Sequence, residues 1–453
     1  MHQTDDYIEK NRDRFLEELK LLLKIPSVSA DKKSKKAMSH CANYVKDLLM
    51  QAGCDKAEIC STQGWPLVFG QKTIDKDVPT ILVYGHYDVQ PPDPLSLWES
   101  DPFEPVVGDG KIFARGASDD KGQMFIHIKA LEAMTKTNNL PCNVKFIFEG
   151  EEETGSVSLI KFLESNSKEL SADVVLVSDT AMISLDCPSI ETALRGMAYM
   201  QVEITGPNRD LHSGVYGGAV SNPINILCQM IGSLHDADNR ITIPGFYDKV
   251  VPFSEKERLE INQVPFNQDA YKKELGISEI DGEKGYTTLE RVGIRPSLDV
   301  NGIWGGYIGD GAKTVLPSKA YAKISMRLVP DQQSAEIAAL FGAYMKEIAP
   351  DPVRVKVDYI HGGEAAVTRT DSKAYQAAVK AMKMTFGKNP LAVYSGGSIP
   401  IVSAFKEKLG IDTVLLGFGL DSDNIHSPNE KLDLANFYKG IQTIPYFYRY
   451  FAG

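Results

Sequence analysis

Thr80-Ile81-Leu82-Val83-Tyr84-Gly85-His86-Tyr87-Asp88 is an apolar run that ends on an imidazole and a carboxylate. Short runs rich in β-branched and aromatic residues read as buried strands. Three more runs repeat the pattern. Asn143-Val144-Lys145-Phe146-Ile147-Phe148 leads into Glu149-Gly150-Glu151-Glu152-Glu153, Val174-Val175-Leu176-Val177-Ser178 stops at Asp179, and Thr413-Val414-Leu415-Leu416-Gly417-Phe418 leads through an acidic loop to His426. Helix-like segments separate the runs, which predicts an α/β domain with a mostly parallel sheet flanked by helices. Ligands of open α/β sheets collect at the carboxyl ends of strands. The four run ends therefore meet in one crevice, and two histidines among several carboxylates give it the character of a metal site.

Outward from these strands, the unit strand, polar turn, helix recurs. Arg115-Gly116-Ala117-Ser118-Asp119-Asp120-Lys121-Gly122 precedes a helical pattern from Met124 to Met134, and Glu151-Glu152-Glu153-Thr154-Gly155-Ser156 precedes another at Leu159 to Leu163. Acidic residues there sit where a helix dipole favours negative charge. Upstream, Tyr7 to Lys24 reads as one amphipathic helix and Lys36 to Gln51 as a second, while Gly108-Asp109-Gly110 signals a hairpin.

The character changes near residue 193. Strand patterns at Met197 to Thr205, Ser297 to Gly302, Lys319 to Val329 and Val353 to Ile360, with helices at Asn222 to Leu234 and Ser334 to Ile348, give the order βαββαβ of a small ferredoxin-like domain. The expected organisation is a larger domain in two parts, 1–192 and 366–453, with the smaller domain inserted at 193–365, and the family resemblance described below implies that the larger is catalytic and the smaller a lid and dimerisation domain. A polar stretch, about Asp236 to Pro296, is too long for a simple loop and reads as a partly helical appendage.

At 453 residues, 43% hydrophobic and 24% charged, the chain has the composition of a soluble globular protein of two or three domains. The net charge of -11 comes without a basic block, which argues against nucleic acid or an anionic membrane as partner. No apolar stretch has the length of a bilayer span and the N-terminus lacks a secretory pattern, so a cytoplasmic location is expected. The six cysteines show no framework spacing and read as reduced thiols. Gly309-Asp310-Gly311-Ala312-Lys313-Thr314 fails the phosphate-loop spacing.

His86, Asp119, Glu153, Asp179 and His426 can supply the imidazole and carboxylate donors that zinc or manganese needs. If Asp119 bridges, each of two ions also holds one histidine and one further carboxylate, and a bridging water becomes a nucleophile near neutral pH. Asp88, two residues beyond His86, can accept the second ring proton of that histidine. Glu152 sits beside a ligand and can carry the proton from water to the leaving nitrogen. Taken singly, these signals are weak: His-x-Asp is usually a hydrogen-bonded pair, a glutamate triplet a solvated helix start, Asp179 an N-cap, His426 a loop residue. Their recurrence at strand ends distinguishes the set. His40, His127 and His235 lie within helical patterns and are assigned to packing or surface.

Gly85-His86-Tyr87-Asp88-Val89-Gln90, Arg115 to Gly122, Glu149 to Ser156 and Ser178-Asp179 resemble the dinuclear metallopeptidase family of carnosinases, cytosolic nonspecific dipeptidases, aminoacylases and succinyl-diaminopimelate desuccinylase. Asp210-Leu211-His212-Ser213-Gly214, Gly311 to Thr314 and Gly396-Gly397-Ser398-Ile399-Pro400 resemble its carnosinase and nonspecific dipeptidase branch. The resemblance implies that the five donors hold two divalent ions, zinc or manganese, with Asp88 and Glu152 as the catalytic pair. It implies that His212 reaches the partner subunit's active site in a homodimer built through the smaller domain, and that Thr314, Arg327, His361 and Ser398 hold the substrate. The expected function is a metallodipeptidase acting on short peptides with a free C-terminal carboxylate. Alternatives are an N-acyl or N-succinyl amino acid deacylase and a non-catalytic binding protein on the same fold.

Overall fold

A computed structural model of the chain describes residues 1–397 and 399–453. Two compact units form, one from Met1–Thr192, Thr368–Val393 and Ile401–Gly453, the other from Ala193–Val367 and Tyr394–Pro400. The segment Tyr394–Pro400, expected with the larger domain, joins the smaller unit. Its carbonyls explain this: the Arg195 main-chain N–H donates to Gly397 O at 3.0 Å and Arg195 Nε to Gly396 O at 3.1 Å.

The sheet of the larger unit runs in the order Lys56–Cys60, Leu67–Lys72, Asn143–Glu149, Thr80–His86, Val174–Val177, Thr413–Leu415, Ser189–Leu194. Its centre is parallel: Thr80–His86 pairs in parallel with both Asn143–Glu149 and Val174–Val177, and Thr413–Leu415 with Val174–Val177. The flanking pairs are antiparallel, so the sheet is mixed and not mostly parallel. Periodicity cannot tell a buried antiparallel strand from a parallel one, since both faces are apolar in either case. Nearly every residue of the three central strands is buried. Their shared direction delivers His86, Glu149 and the residues after Val177 to one end.

Helix Lys121–Lys136 is buried on every side from Lys121 to Met134 and packs against helix Leu434–Ala452. A helix without a polar face belongs inside a layered core. Its buried lysines are satisfied: Lys121 Nζ donates to Ile25 O at 2.6 Å, and Lys129 pairs with Glu132 at 2.8 Å and with Glu18. The predicted first helix is in fact two, His2–Lys10 and Arg12–Leu23. The break is Asn11, whose side chain donates to Tyr7 O at 2.8 Å, a local bond that competes with the helical ladder.

The smaller unit holds a four-stranded antiparallel sheet in the order Ser297–Gly305, Lys319–Leu328, Gly196–Thr205, Arg354–Gly363, with helices Pro223–Gly232 and Ser334–Glu347. Strict alternation along Gly196–Thr205 buries Ala198, Met200, Val202 and Ile204 against these helices. The polar stretch between first helix and second strand carries helices Glu255–Ile261, Gln268–Leu275 and Thr288–Gly293. No helix among the described residues is long and apolar enough to cross a membrane, and all six cysteines are thiols.

Phe146 is fully buried in the central sheet, 5.7 Å from the ring of Phe148. Phe146→Ala is expected to lower unfolding stability by about 3–5 kcal/mol, read as a lower urea midpoint. Leu21→Ala, at a 55% exposed position, should stay within about 0.5 kcal/mol.

Candidate metal centre

His86 closes its strand and is fully buried. Its Nε2 lies 3.0 Å from Asp119 Oδ1 and 3.7 Å from Asp179 Oδ2. The residue before it is Gly85, where an added Cβ would stand 2.7 Å from Asp120 Oδ2. That close approach lets Asp120 accept the His86 main-chain N–H at 3.1 Å. On the other edge of the ring, Nδ1 sits 3.0 Å from the Asp88 main-chain carbonyl and 3.4 Å from the Asp88 carboxylate. The carbonyl is thus the nearer acceptor. The Asp88 carboxylate also accepts the N–H groups of Glu152 at 3.3 Å and Glu153 at 3.2 Å, tying the glutamate loop to the His86 strand.

His426 approaches from the C-terminal part of the chain, with Nε2 2.8 Å from Asp119 Oδ2 and 3.3 Å from Glu153 Oε2. Asp119 therefore turns one oxygen to each histidine. Two donor groups result, His86–Asp119–Asp179 and Asp119–Glu153–His426, with the ligand atoms of each within 4.8 Å of one another. Glu152 belongs to neither group. All five expected donors are brought together.

Burial dominates the electrostatics. It lifts the Asp179 carboxyl to about 7, with repulsion from Asp119 and Glu153 offset in part by the histidines. Burial likewise raises Glu152 well above the carboxylate range and raises Glu153, with neighbouring carboxylates adding to both. Asp119 goes the other way: burial pushes it up, but hydrogen bonds from His426 and His86 outweigh that and hold it below the usual range. Bonds to Asp119 and Glu153 raise His426 to about 10. Converging nitrogen and oxygen donors, with carboxylates that resist sharing one space while charged, fit a divalent cation that takes imidazole and carboxylate ligands.

Sequence reasoning missed Gln90, whose Nε2 donates to Glu153 Oε2 at 2.6 Å. Its spacing of two from Asp88 and four from His86 is the available signal. Glu151 accepts Trp65 N and Ser158 N, each at 3.0 Å, and so ties the loop before helix Val157–Ser165 to its first turn. His127 is buried in its helix, with Nε2 2.8 Å from Ser178 Oγ, and burial drives its pKa down to about 3.

The other expected residues lie in the smaller unit. His212, exposed, accepts Gly214 N at 3.0 Å through Nδ1, and Ser213 N donates to the carbonyl of Thr314 at 3.0 Å, so His212 and Thr314 are neighbours. Arg327 is opposite Met197 in the sheet, and His361 stacks on Tyr199 at 5.2 Å and 5°. Burial lowers the pKa of both Arg327 and His361. Ser398 lies outside the described residues.

Residues 82–449 match the model of Peptidase family M20/M25/M40. Over 467 aligned positions the chain is 33% identical to the Cys-Gly metallodipeptidase DUG1 of Candida albicans, covering 99% of this chain and 96% of that protein. The structure of the dipeptidase Dug1p from Saccharomyces cerevisiae superposes with a TM-score of 0.86 at 31% identity, over 100% of this chain and 98% of that one. Human carnosine dipeptidase 1 gives 0.86 at 29% identity, over 100% and 98%. With its strand-end donors inside a match that spans most of its length, the chain belongs to peptidase family M20/M25/M40.

Proposed function

We propose that this protein is a metal-dependent dipeptidase that hydrolyses dipeptides or short peptides with a free C-terminal carboxylate. The observation that carries the reading is Asp119, whose two oxygens enter two separate donor groups. His86, Asp119 and Asp179 would hold one divalent ion, and Asp119, Glu153 and His426 a second, zinc or manganese in each. Bound ions of this kind polarise the scissile carbonyl and acidify water. The Glu152 carboxylate takes the proton from the attacking water and returns it to the leaving nitrogen. Asp88 supports this by holding the Glu152 and Glu153 N–H groups while facing the His86 ring.

The substrate reading comes from the relatives, named for Cys-Gly and carnosine. Arg327 suits a free carboxylate because a guanidinium grips it with two parallel hydrogen bonds. Thr314, His361 and Ser398 complete the grip, and His212 steadies the oxyanion of the partner subunit. The smaller unit acts as a ferredoxin-like lid and dimerisation domain, a role supported by its strand order and by the exposed apolar residues Ile303, Trp304, Tyr307 and Ile308 on and after its edge strand. A cytoplasmic location accords with the six free thiols, and the assembly is a homodimer built through the smaller unit.

Removal of metal by a chelator should abolish hydrolysis of Ala-Ala, Cys-Gly and carnosine, and zinc or manganese should restore it. A metal-depleted protein that stays active, or one that prefers N-acetyl or N-succinyl amino acids, overturns the reading. Glu152→Gln should lower kcat by about 10²–10⁴-fold with metal content by elemental analysis unchanged. Arg327→Ala should raise KM for dipeptides roughly 10- to 100-fold.

A further inference from the structure

Glu430 is a carboxylate with no exposure at all, close to His426 in sequence. Its Oε1 accepts the main-chain N–H groups of Ser118 at 3.0 Å and Asp119 at 3.1 Å. Its Oε2 accepts the N–H of Gly116 at 2.9 Å and Arg115 Nη1 at 2.7 Å. One side chain thus satisfies three amides of a single loop and a guanidinium. Arg115, 1% exposed, carries the link onward: its Nη2 donates to Ser427 O at 3.3 Å and to Pro91 O at 3.4 Å. The pair therefore fastens together the turn of Asp119, the residue next to His426, and the segment that follows Asp88. The turn it grips is tight, since a Cβ on Gly122 would stand 1.9 Å from the Ala117 carbonyl.

A buried ion pair adds little net stability, because desolvation offsets most of the Coulomb attraction. What four directed hydrogen bonds do supply is placement. An amide cannot substitute: in either orientation an NH₂ group at position 430 would face donors, either the Ser118 and Asp119 N–H groups or Gly116 N–H and Arg115.

We infer that Glu430, locked to Arg115, is a positioning residue that holds Asp119 and His426 in register for the second of the two ions. The inference rests on the two-ion reading above, and its test separates the two. Wild type, Glu430→Gln, Glu430→Asp and Arg115→Lys are loaded with zinc, dialysed against a graded series of chelator concentrations, and analysed for metal per chain. Thermal unfolding of the metal-free proteins is measured alongside.

The expected result is that wild type holds two ions, whereas Glu430→Gln releases one of them at about 10–100-fold lower chelator strength and keeps the other. Metal-free Glu430→Gln should unfold cooperatively, and Glu430→Asp and Arg115→Lys should release the same ion at intermediate chelator strength. If wild type binds two ions and the variants titrate as wild type does, or lose both ions together in proportion to lost stability, the inference fails and the dipeptidase reading stands. If wild type binds no ion, that reading itself fails. Should Glu430→Gln not fold, Glu430→Asp and Arg115→Lys decide by the same titration.

Discussion

The structure turns on one carboxylate with two histidines on it. Asp119 offers Oδ1 to His86 and Oδ2 to His426, residues 340 positions apart in the chain. Nothing in the loop of Asp119 could arrange this alone. His86 arrives because its strand lies between two parallel neighbours, and His426 arrives on a loop from the far end of the sequence. A carboxylate has two oxygens, and here each meets its own imidazole. The larger unit is, in effect, the apparatus that brings them there.

Such a centre is electrostatically unfavourable for a folded chain by itself. Asp119, Glu152, Glu153 and Asp179 share one buried space, and burial pushes all four upward, outweighed only at Asp119 by its two histidines. Main-chain amides go instead to the acids around these four: Asp88 takes two, Asp120 takes that of His86, and Glu430 takes three. Acidic side chains that bind no ion thus shape the loops that carry those that do. Repeated acids in the turn sequences serve this purpose as much as ligation.

Strand-end donors were legible because runs such as Val174 to Val177 are too short and too β-branched to be helices, and because parallel neighbours bring their ends together. Asp119, on a turn and not a strand, became legible through the surrounding motif. What stayed hidden depends on tertiary partners. Strand direction at the sheet edges leaves no trace in hydropathy, the Asn11 break comes from one side-chain bond, and the preference of His86 for a carbonyl over the Asp88 carboxylate is a matter of under half an ångström. Glu430 carried no signal of its own, because a lone glutamate after Pro-Asn reads as surface. The attachment of Tyr394–Pro400 to the smaller unit rests on carbonyls of Gly396 and Gly397, which sequence cannot weigh.

Helix Lys121–Lys136 begins two residues after Asp119 and has no water-facing side through Met134. It can neither roll nor slide without prying apart the layers above and below it, so Asp119 inherits the stiffness of the interior. His426 stands differently, with its side chain 54% exposed and its backbone in the left-handed region at φ 58°. The cage is therefore lopsided, walled in by the interior at Asp119 and open to water at His426. Adjustment to ions of different radius would fall on the latter side.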